Sequence, residues 1–502
     1  MAGVESLGIG IPSYWNDEVA SLQAAKISLP RLFTFVTTQR DAVHGLYYAL
    51  LHVWVGLVGH GPFATRLPSS LGTGFGAAGL YVIVRRYADV RLGIAAVAAY
   101  ALLPRVVDLS AETRSYALSA AVVVWLTLLL LLALERAAVL LWVAYAIVLA
   151  FSAYLFFFSV LVLTTHLVVL LVLSRRRVRD LALWASAVVV AGLAALPLVL
   201  VASQQKTIQL SWMTSHTRAL NQPYTAWQAP LFLGDWTIGI AVWVVLLLLI
   251  VSIRRVPVAR RPLLVIGASW FALPTLALIG ADVVDGPLYA PRYLVATAPG
   301  LGILVALALS TLAGRSRLWA VLRVAVALAL VVLLVVADLP LRGPYAKNGG
   351  SDLAEVAAVI GEHALPGDGF LMPDQYPGRK HLRQAYDAYP QDFRGLVDLA
   401  YRAPFTRHNS FTDVLRSSSQ LDRHRFRGVH RVWLALPDPD RLTTNALARK
   451  LVRFHYLETA RYRLHRDTVY AFTRTAPLAQ PSPPRHLGRD RLPGASIPRT
   501  RS

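Results

Sequence analysis

The chain has 502 residues, of which 56% are hydrophobic. A mean hydropathy of +0.50 exceeds what a soluble globular protein averages, so composition supports a multi-spanning membrane protein. The net charge of +22 is explained without nucleic acid, because short cytoplasmic loops collect Lys and Arg; with no cysteine, disulfides, thiolate catalysis and Cys-ligated metals are excluded.

Residues 1–66 hold no clean span. The first fourteen residues carry Glu5 and lack a basic start followed by an apolar core, so no cleavable signal peptide is expected. Ser13-Tyr14-Trp15-Asn16-Asp17-Glu18 sets two carboxylates behind two aromatic rings. A helix-like stretch from Val19 to Ile27, a break at Pro30 and a second piece from Leu32 to Thr38 follow. Gly45 to Gly59 is apolar, but its ~15 residues reach only ~22 Å, short of a ~30 Å hydrocarbon core. It reads as a juxtamembrane helix at the interface, carrying Tyr47, Tyr48 and Trp54.

Spans are expected near 67–84, 92–104, 115–134, 137–153, 156–173, 181–201, 234–253, 263–280, 294–312 and 318–338, roughly ten in all, the second extending past Pro104. Alternate connections collect arginine: Arg85, Arg86 and Arg91; Arg136; Arg175, Arg176, Arg177 and Arg179; Arg254, Arg255, Arg260 and Arg261; Arg315 and Arg317. These read as cytoplasmic. The other set holds Asp108, Glu112, Asp282 and Asp285 and reads as extracytoplasmic. The alternation holds only if 45–59 does not cross, and it then brings the acidic pair, Glu112, the loop 202–233 and the carboxyl-terminal part to one outer side.

At Asp338 the composition changes, and 341–475 reads as a small extracytoplasmic α/β domain. Asp352 to His363 has helical spacing with an Asp or Ser cap before it; Gly369 to Met372, Arg431 to Leu436 and Thr468 to Thr473 read as strands. Residues 476–502, rich in Pro, Arg and Ser, are expected to be disordered. The fold class is thus an all-α polytopic membrane bundle, 67–340, with an amino-terminal segment bearing juxtamembrane helices and this α/β domain.

Asp17 and Glu18 are the candidate catalytic pair. A carboxylate among aromatic rings loses solvation and becomes a better proton acceptor. A sugar hydroxyl attacking an anomeric carbon needs such a base, while the second carboxylate grips hydroxyls. Asp41 and His44, three apart on a helix, offer a second polar wall. With the acidic pair they could ligate a divalent cation, although the spacing matches no metal motif. Arg105, Glu112 and Arg114 sit in an outer loop, where the alternatives are snorkelling, a Glu–Arg pair, or cations meeting a lipid phosphate. Arg292 and Tyr293 open a span, where an Arg is costly unless it snorkels or meets an anion. A guanidinium there can hold a phosphate in bidentate fashion as a leaving group. Lys206, Trp212, His216, Tyr224 and Trp227 in the 202–233 loop read as an aromatic belt or as sugar-stacking rings. No Gly-rich phosphate loop, HExxH or nucleotide fingerprint occurs, which favours a donor dissolved in the membrane over a nucleotide sugar.

The Asp-Glu pair after an aromatic, DAVHGLYY at Asp41 to Tyr48, RLPSSL at Arg66 to Leu71, LLPR and ETRSYAL within Leu102 to Leu118, and APRYL at Ala290 to Leu294 together resemble the GT-C glycosyltransferases. Nearest in pattern are protein-O-mannosyltransferase-like and ArnT-like enzymes of the actinobacterial type, over most of 10–340. The resemblance implies a polyprenyl-phosphate sugar donor, an inverting transfer, Asp17 as the base and a lipid groove on the bundle. Relatives carry a transmembrane helix before the acidic pair, where this chain has some sixteen residues; either the start lies upstream or that helix is absent. Relatives also often read His-Pro-Pro at Val43-His44-Gly45. The expected reaction moves a sugar, mannose first, to an extracytoplasmic glycolipid, polysaccharide or protein; the alternatives are arabinofuranose or aminoarabinose transfer, a lipid flippase, and a non-catalytic partner. Spans nearly free of charge, with acids gathered at one face, speak against transport.

Overall fold

The computed structural model describes residues 3, 6–38, 40–136, 138–210, 213, 227, 231–312, 317–372, 382–407, 411–437, 442 and 445–475. The tail 476–502, Arg315 and the loop residues Trp212, His216 and Tyr224 lie outside these.

Apolar runs become helices because backbone in hydrocarbon must satisfy its own N–H and C=O groups. Three helices precede the bundle: α1 (Asn16–Ala25), α2 (Leu29–Thr38) and α3 (Gly45–Val58). The bundle runs α4 (Pro62–Arg85), α5 (Val90–Ala101), α6 (Pro104–Ser110), α7 (Tyr116–Arg136), α8 (Val139–Leu155), α9 (Val162–Leu173), α10 (Arg177–Gln209), α11 (Trp236–Val251), α12 (Arg261–Asp285), α13 (Ala298–Thr311) and α14 (Arg317–Asp338). Among the described residues, 6 helices are long and apolar enough to cross a membrane, or 7 if α5 and α6 count as one bent span. The expected spans at 137–153, 156–173 and 234–253 are apolar helices of 10–17 residues, shorter than that measure.

One expectation is qualified and one corrected. The 92–104 span continues past Pro104 only as a bent pair, with a 68° bend between α5 and α6. Pro104 has no N–H to donate and pushes Leu103 into extended backbone at ψ 129. Residues 202–209 are not loop, because α10 is a 33-residue helix. Its length is ~50 Å, well beyond the hydrocarbon core, and Gln, Lys and Thr continue a helix readily once it is in water. Bundle helices approach closely at small residues. A Cβ on Gly302 would lie 2.7 Å from the Ala96 carbonyl of α5, and one on Gly300 2.7 Å from the Phe271 amide of α12, so α13 is wedged between those two.

Charge separates the two ends. Arg86 pairs with Glu135, and Arg260 with Asp89 at 3.0 Å, at one end. The other end gathers Arg66, Asp108, Glu112, Arg114, Gln205 and Arg292.

The carboxyl-terminal region folds as a five-stranded sheet of order β2-β1-β5-β7-β6, with β1 Gly369–Leu371, β2 Val397–Asp398, β5 Arg431–Leu436, β6 Tyr456–Arg463 and β7 Thr468–Arg474. β3 (Tyr401–Ala403) and β4 (Val414–Leu415) form a separate pair. β1 pairs in parallel with β2 and β5; β7 runs antiparallel to both β5 and β6. Strand alternation divides the core. Trp433 and Ala435 face α15 (Leu353–His363) and α16 (Gln384–Ala388). Val432, Leu434 and Leu436 face α17 (Ala446–Arg453).

The amino-terminal stretch is clamped onto the α15 layer. Tyr14, Val19 and Leu22 bury themselves with Leu353, Val356 and Phe370. The Ala354 amide donates to the Ser13 hydroxyl at 3.0 Å, so Ser13 caps α15 from 341 residues away. Asp352, expected as that cap, accepts instead from the amides of Arg466 and Asp467. The Ser13 amide donates to the Pro344 carbonyl, and the Tyr14 amide to the Tyr389 hydroxyl.

Candidate active site

Asp17 and Glu18 open α1 after Trp15, whose extended backbone (ψ 173) starts the helix. Consecutive helical residues point about 100° apart, so the two carboxylates go to different places. Glu18 turns inward. Its Oε1 and Oε2 each accept from Arg66, at 2.7 Å from Nε and 2.7 Å from Nη2, and both side chains are 0% exposed. Oε1 also accepts from the Thr113 amide at 2.8 Å. Arg66 donates its remaining hydrogens to the Ile9, Pro12 and Ser13 carbonyls and lies 4.8 Å from the centre of the Tyr14 ring.

Asp17 turns toward Arg114 and Arg292. Its Oδ2 lies 3.4 Å from Arg292 and 3.6 Å from Arg114, both through Nη2, and accepts no hydrogen bond. The side chain is 25% exposed, against 16% for Asp41, 4% for Glu112 and 0% for Glu18. Of these four carboxylates, Asp17 has the most exposed side chain, although its Oδ2 is itself buried. Arg292 stands over the Trp15 ring at 5.7 Å and is 24% exposed. Arg114 is 7% exposed and donates to the Tyr48 hydroxyl at 2.8 Å; Asp41 lies 3.9 Å away.

Asp41 and His44 do not form one helical wall. Asp41 adopts left-handed backbone at φ 68 ahead of a short 3-10 turn. It accepts from Tyr48 and from Gln209 of α10. His44 points away, its ring stacked on Phe156 at 5.6 Å and its Nδ1 3.0 Å from the Ser115 hydroxyl. Burial, reinforced by Arg114, holds its pKa well below the usual imidazole value, so it is neutral at pH 7. Tyr293 stacks on Phe158 at 4.4 Å and supports the floor beside Arg292. In the 202–233 segment, Lys206 pairs with Asp285 at 2.6 Å, and Trp227 packs on Phe271 at 5.6 Å. Among the described residues no group of three or more His, Asp or Glu stands together as a metal site.

Arg105 pairs with Asp108 at 3.2 Å. Lys347, which sequence reading passed over, inserts its ammonium here, 2.8 Å from Asp108 Oδ1 and 3.8 Å from Glu112. Asp108 takes the cation, and Glu112 keeps an oxygen without a hydrogen bond. Burial therefore pushes the Glu112 pKa up to about 8, with Asp108, Glu18 and Asp17 adding to the rise and Lys347 opposing it. The folded state then binds more protons than the unfolded chain from the ordinary value of 4.5 up to about 8, so stability falls as pH rises through that window. Thermal unfolding of the purified protein should shift to lower temperature between pH 5 and 9, and Glu112→Gln should flatten that dependence. An identical slope in the variant would assign the effect to another group.

ArnT from Cupriavidus metallidurans bound to undecaprenyl phosphate aligns at 16% identity over 94% of this chain and 96% of that one, with a TM-score of 0.56. Its apo state aligns at 16% over 93% and 96%, with a TM-score of 0.55. Residues 46–201 match the family model described as dolichyl-phosphate-mannose-protein mannosyltransferase. The chain shares the fold of these ArnT structures. Comparison with curated proteins returned no match. The family match covers α3 through most of α10, so it includes Arg66, Glu112 and Arg114, while Asp17, Arg292 and Lys347 fall outside it.

The residues that sequence reading missed are Arg66, Tyr48 and Lys347 as partners. Arg66 carried a usable signal: a lone Arg one turn into an apolar helix needs a counter-charge.

Proposed function

We propose that this protein is a GT-C enzyme that transfers a sugar from a polyprenyl-phosphate donor to a hydroxyl on an extracytoplasmic acceptor, with inversion and with Asp17 as the general base. The observation that carries the reading is Asp17 itself: a partly exposed side chain whose buried Oδ2 accepts no hydrogen bond and lies 3.4 Å from a guanidinium that is also partly exposed. Asp17 takes the acceptor proton as the acceptor oxygen bonds to the anomeric carbon. The bond from that carbon to phosphate oxygen breaks, and its electron pair leaves on the polyprenyl phosphate. Arg292, the more exposed of the two arginines, meets that developing charge; Arg114 holds Asp17 and Tyr48 in register. Glu18 acts on the reaction only through Arg66 and the Thr113 backbone, which fix the start of α1. The structure of ArnT with undecaprenyl phosphate supports a lipid-borne donor. The family description makes mannose the first sugar to try. The arginine-rich opposite end supports an outward-facing site.

The test supplies labelled polyprenyl-phosphate sugars, one at a time, to membranes with and without the protein, and follows donor consumption by thin-layer analysis. Consumption of the mannosyl donor only when the protein is present is expected; no donor consumed under any acceptor condition would sink the assignment. Arg292→Lys should lower kcat/KM for the donor by roughly 10- to 100-fold, the worth of a charge-assisted hydrogen bond that a compact ammonium cannot reproduce. An unchanged donor KM and kcat would remove Arg292 from the phosphate site.

A further inference from the structure

The sheet of the carboxyl-terminal domain has two unlike faces. One packs α15 and α16 and, through Tyr14, Val19 and Leu22, the segment that bears Asp17. The other packs α17 and the turn Arg423–Phe426, through Phe426, Leu451 and Phe454. This second layer lies across the sheet from the catalytic segment, and its surface is cationic. Arg423 and Lys450 flank one ring, their charged ends 5.7 Å and 5.5 Å from the centre of Phe454. Phe426 packs on the same ring at 5.0 Å, which ties the 423–427 turn to the end of α17. Arg449 and Arg453 stand one turn apart on α17, Arg453 is three residues from Lys450, and Arg427 closes the turn. Arg423, Arg427, Arg449 and Arg453 are exposed. Among the described residues none of these five cations has a carboxylate partner; Asp422, the nearest acid in sequence, accepts from the Arg425 amide instead.

A helix dipole accounts for cations in the last turn of α17, where Lys450 and Arg453 sit, at ~0.3–1 kcal/mol each. It accounts for neither Arg423 nor Arg427, which belong to another element. Like charges gathered on one exposed face repel modestly in water, and a polyanion relieves that repulsion. A lipid leaflet is the less favoured partner, because the opposite face of the sheet is the one that packs the amino-terminal segment leading into the bundle.

We infer that this face binds an anionic glycan polymer and so holds the acceptor, or a polymer attached to it, beside the outward-facing site. The inference rests on the extracytoplasmic reading above, but it is measured by binding and needs no turnover. A transferase that fails every donor assay could still bind, and an active one could fail to bind.

The probe is polygalacturonate, with neutral dextran of matched length as control, titrated into full-length protein in phosphatidylcholine nanodiscs. Binding to polygalacturonate but not dextran, weakening steeply with salt, is expected. Arg423→Gln, Arg427→Gln, Lys450→Gln and Arg453→Gln combined should weaken it at least about tenfold at low salt. The basic residues of 476–502 are present in both proteins, so the difference reports on this face alone. A second variant, Arg423→Lys, Arg427→Lys and Arg453→Lys, keeps the charge and should keep the binding. Undiminished binding in the glutamine variant, loss in the lysine variant, or equal binding of dextran would each overturn the inference. So would loss of polymer binding in phosphatidylglycerol nanodiscs at a salt concentration where phosphatidylcholine nanodiscs retain it, because the face would then be laid against lipid.

Discussion

Asp17→Asn is expected to cut sugar transfer by roughly 10²- to 10⁴-fold, the usual worth of a positioned general base. The amide keeps the size of the carboxylate and leaves α1, clamped by Ser13, Tyr14 and Glu18, where it is. It removes the only charge that Arg114 and Arg292 share within 4 Å among the described ion pairs. Those guanidinium groups then face the donor phosphate with less competition, so donor KM should hold or fall while kcat collapses. That split separates a base from a mere counter-ion. Were Asp17 only a partner for the arginines, its loss would raise donor KM and lower the unfolding temperature, and turnover at saturating donor would survive. Steady-state kinetics with labelled donor, alongside thermal unfolding, decide between the two.

The acidic pair stood out in the sequence by its context, few outer-side acids and aromatic neighbours, and the structure sends its two carboxylates to different partners. The carboxyl-terminal elements were legible: β5 occupies Arg431–Leu436, and the helix expected from Asp352 to His363 is α15. What escaped was partnership. Glu18 meets Arg66 across 48 residues, and Lys347 meets Asp108 across 239; no periodicity encodes such contacts. Sequence spacing also misled where the backbone leaves the helix. Asp41 and His44 share a helical face only in helical backbone, and Asp41 at φ 68 sends them apart. At Pro104 apolar composition carries the segment onward, while the proline sets the bend between α5 and α6.

The second large effect concerns stability. Glu18→Gln should destabilise the protein by ~3–5 kcal/mol, because it leaves the Arg66 guanidinium buried without its counter-charge. Arg66 cannot escape by losing its proton, and its other donors are already committed to the Ile9, Pro12 and Ser13 carbonyls. The penalty therefore falls on the packing of α1 against α4 and on the carboxyl-terminal domain that grips Tyr14. Replacing both partners, as Glu18→Gln with Arg66→Met, removes the stranded charge and should recover part of the loss, since an apolar pair of similar volume is cheaper than half an ion pair. Thermal unfolding of the two single variants and the double variant measures this coupling. A Glu18→Gln protein that melts like wild type yet has lost kcat would mean that Glu18 touches substrate, and the division of labour drawn here between the two neighbouring carboxylates would be wrong.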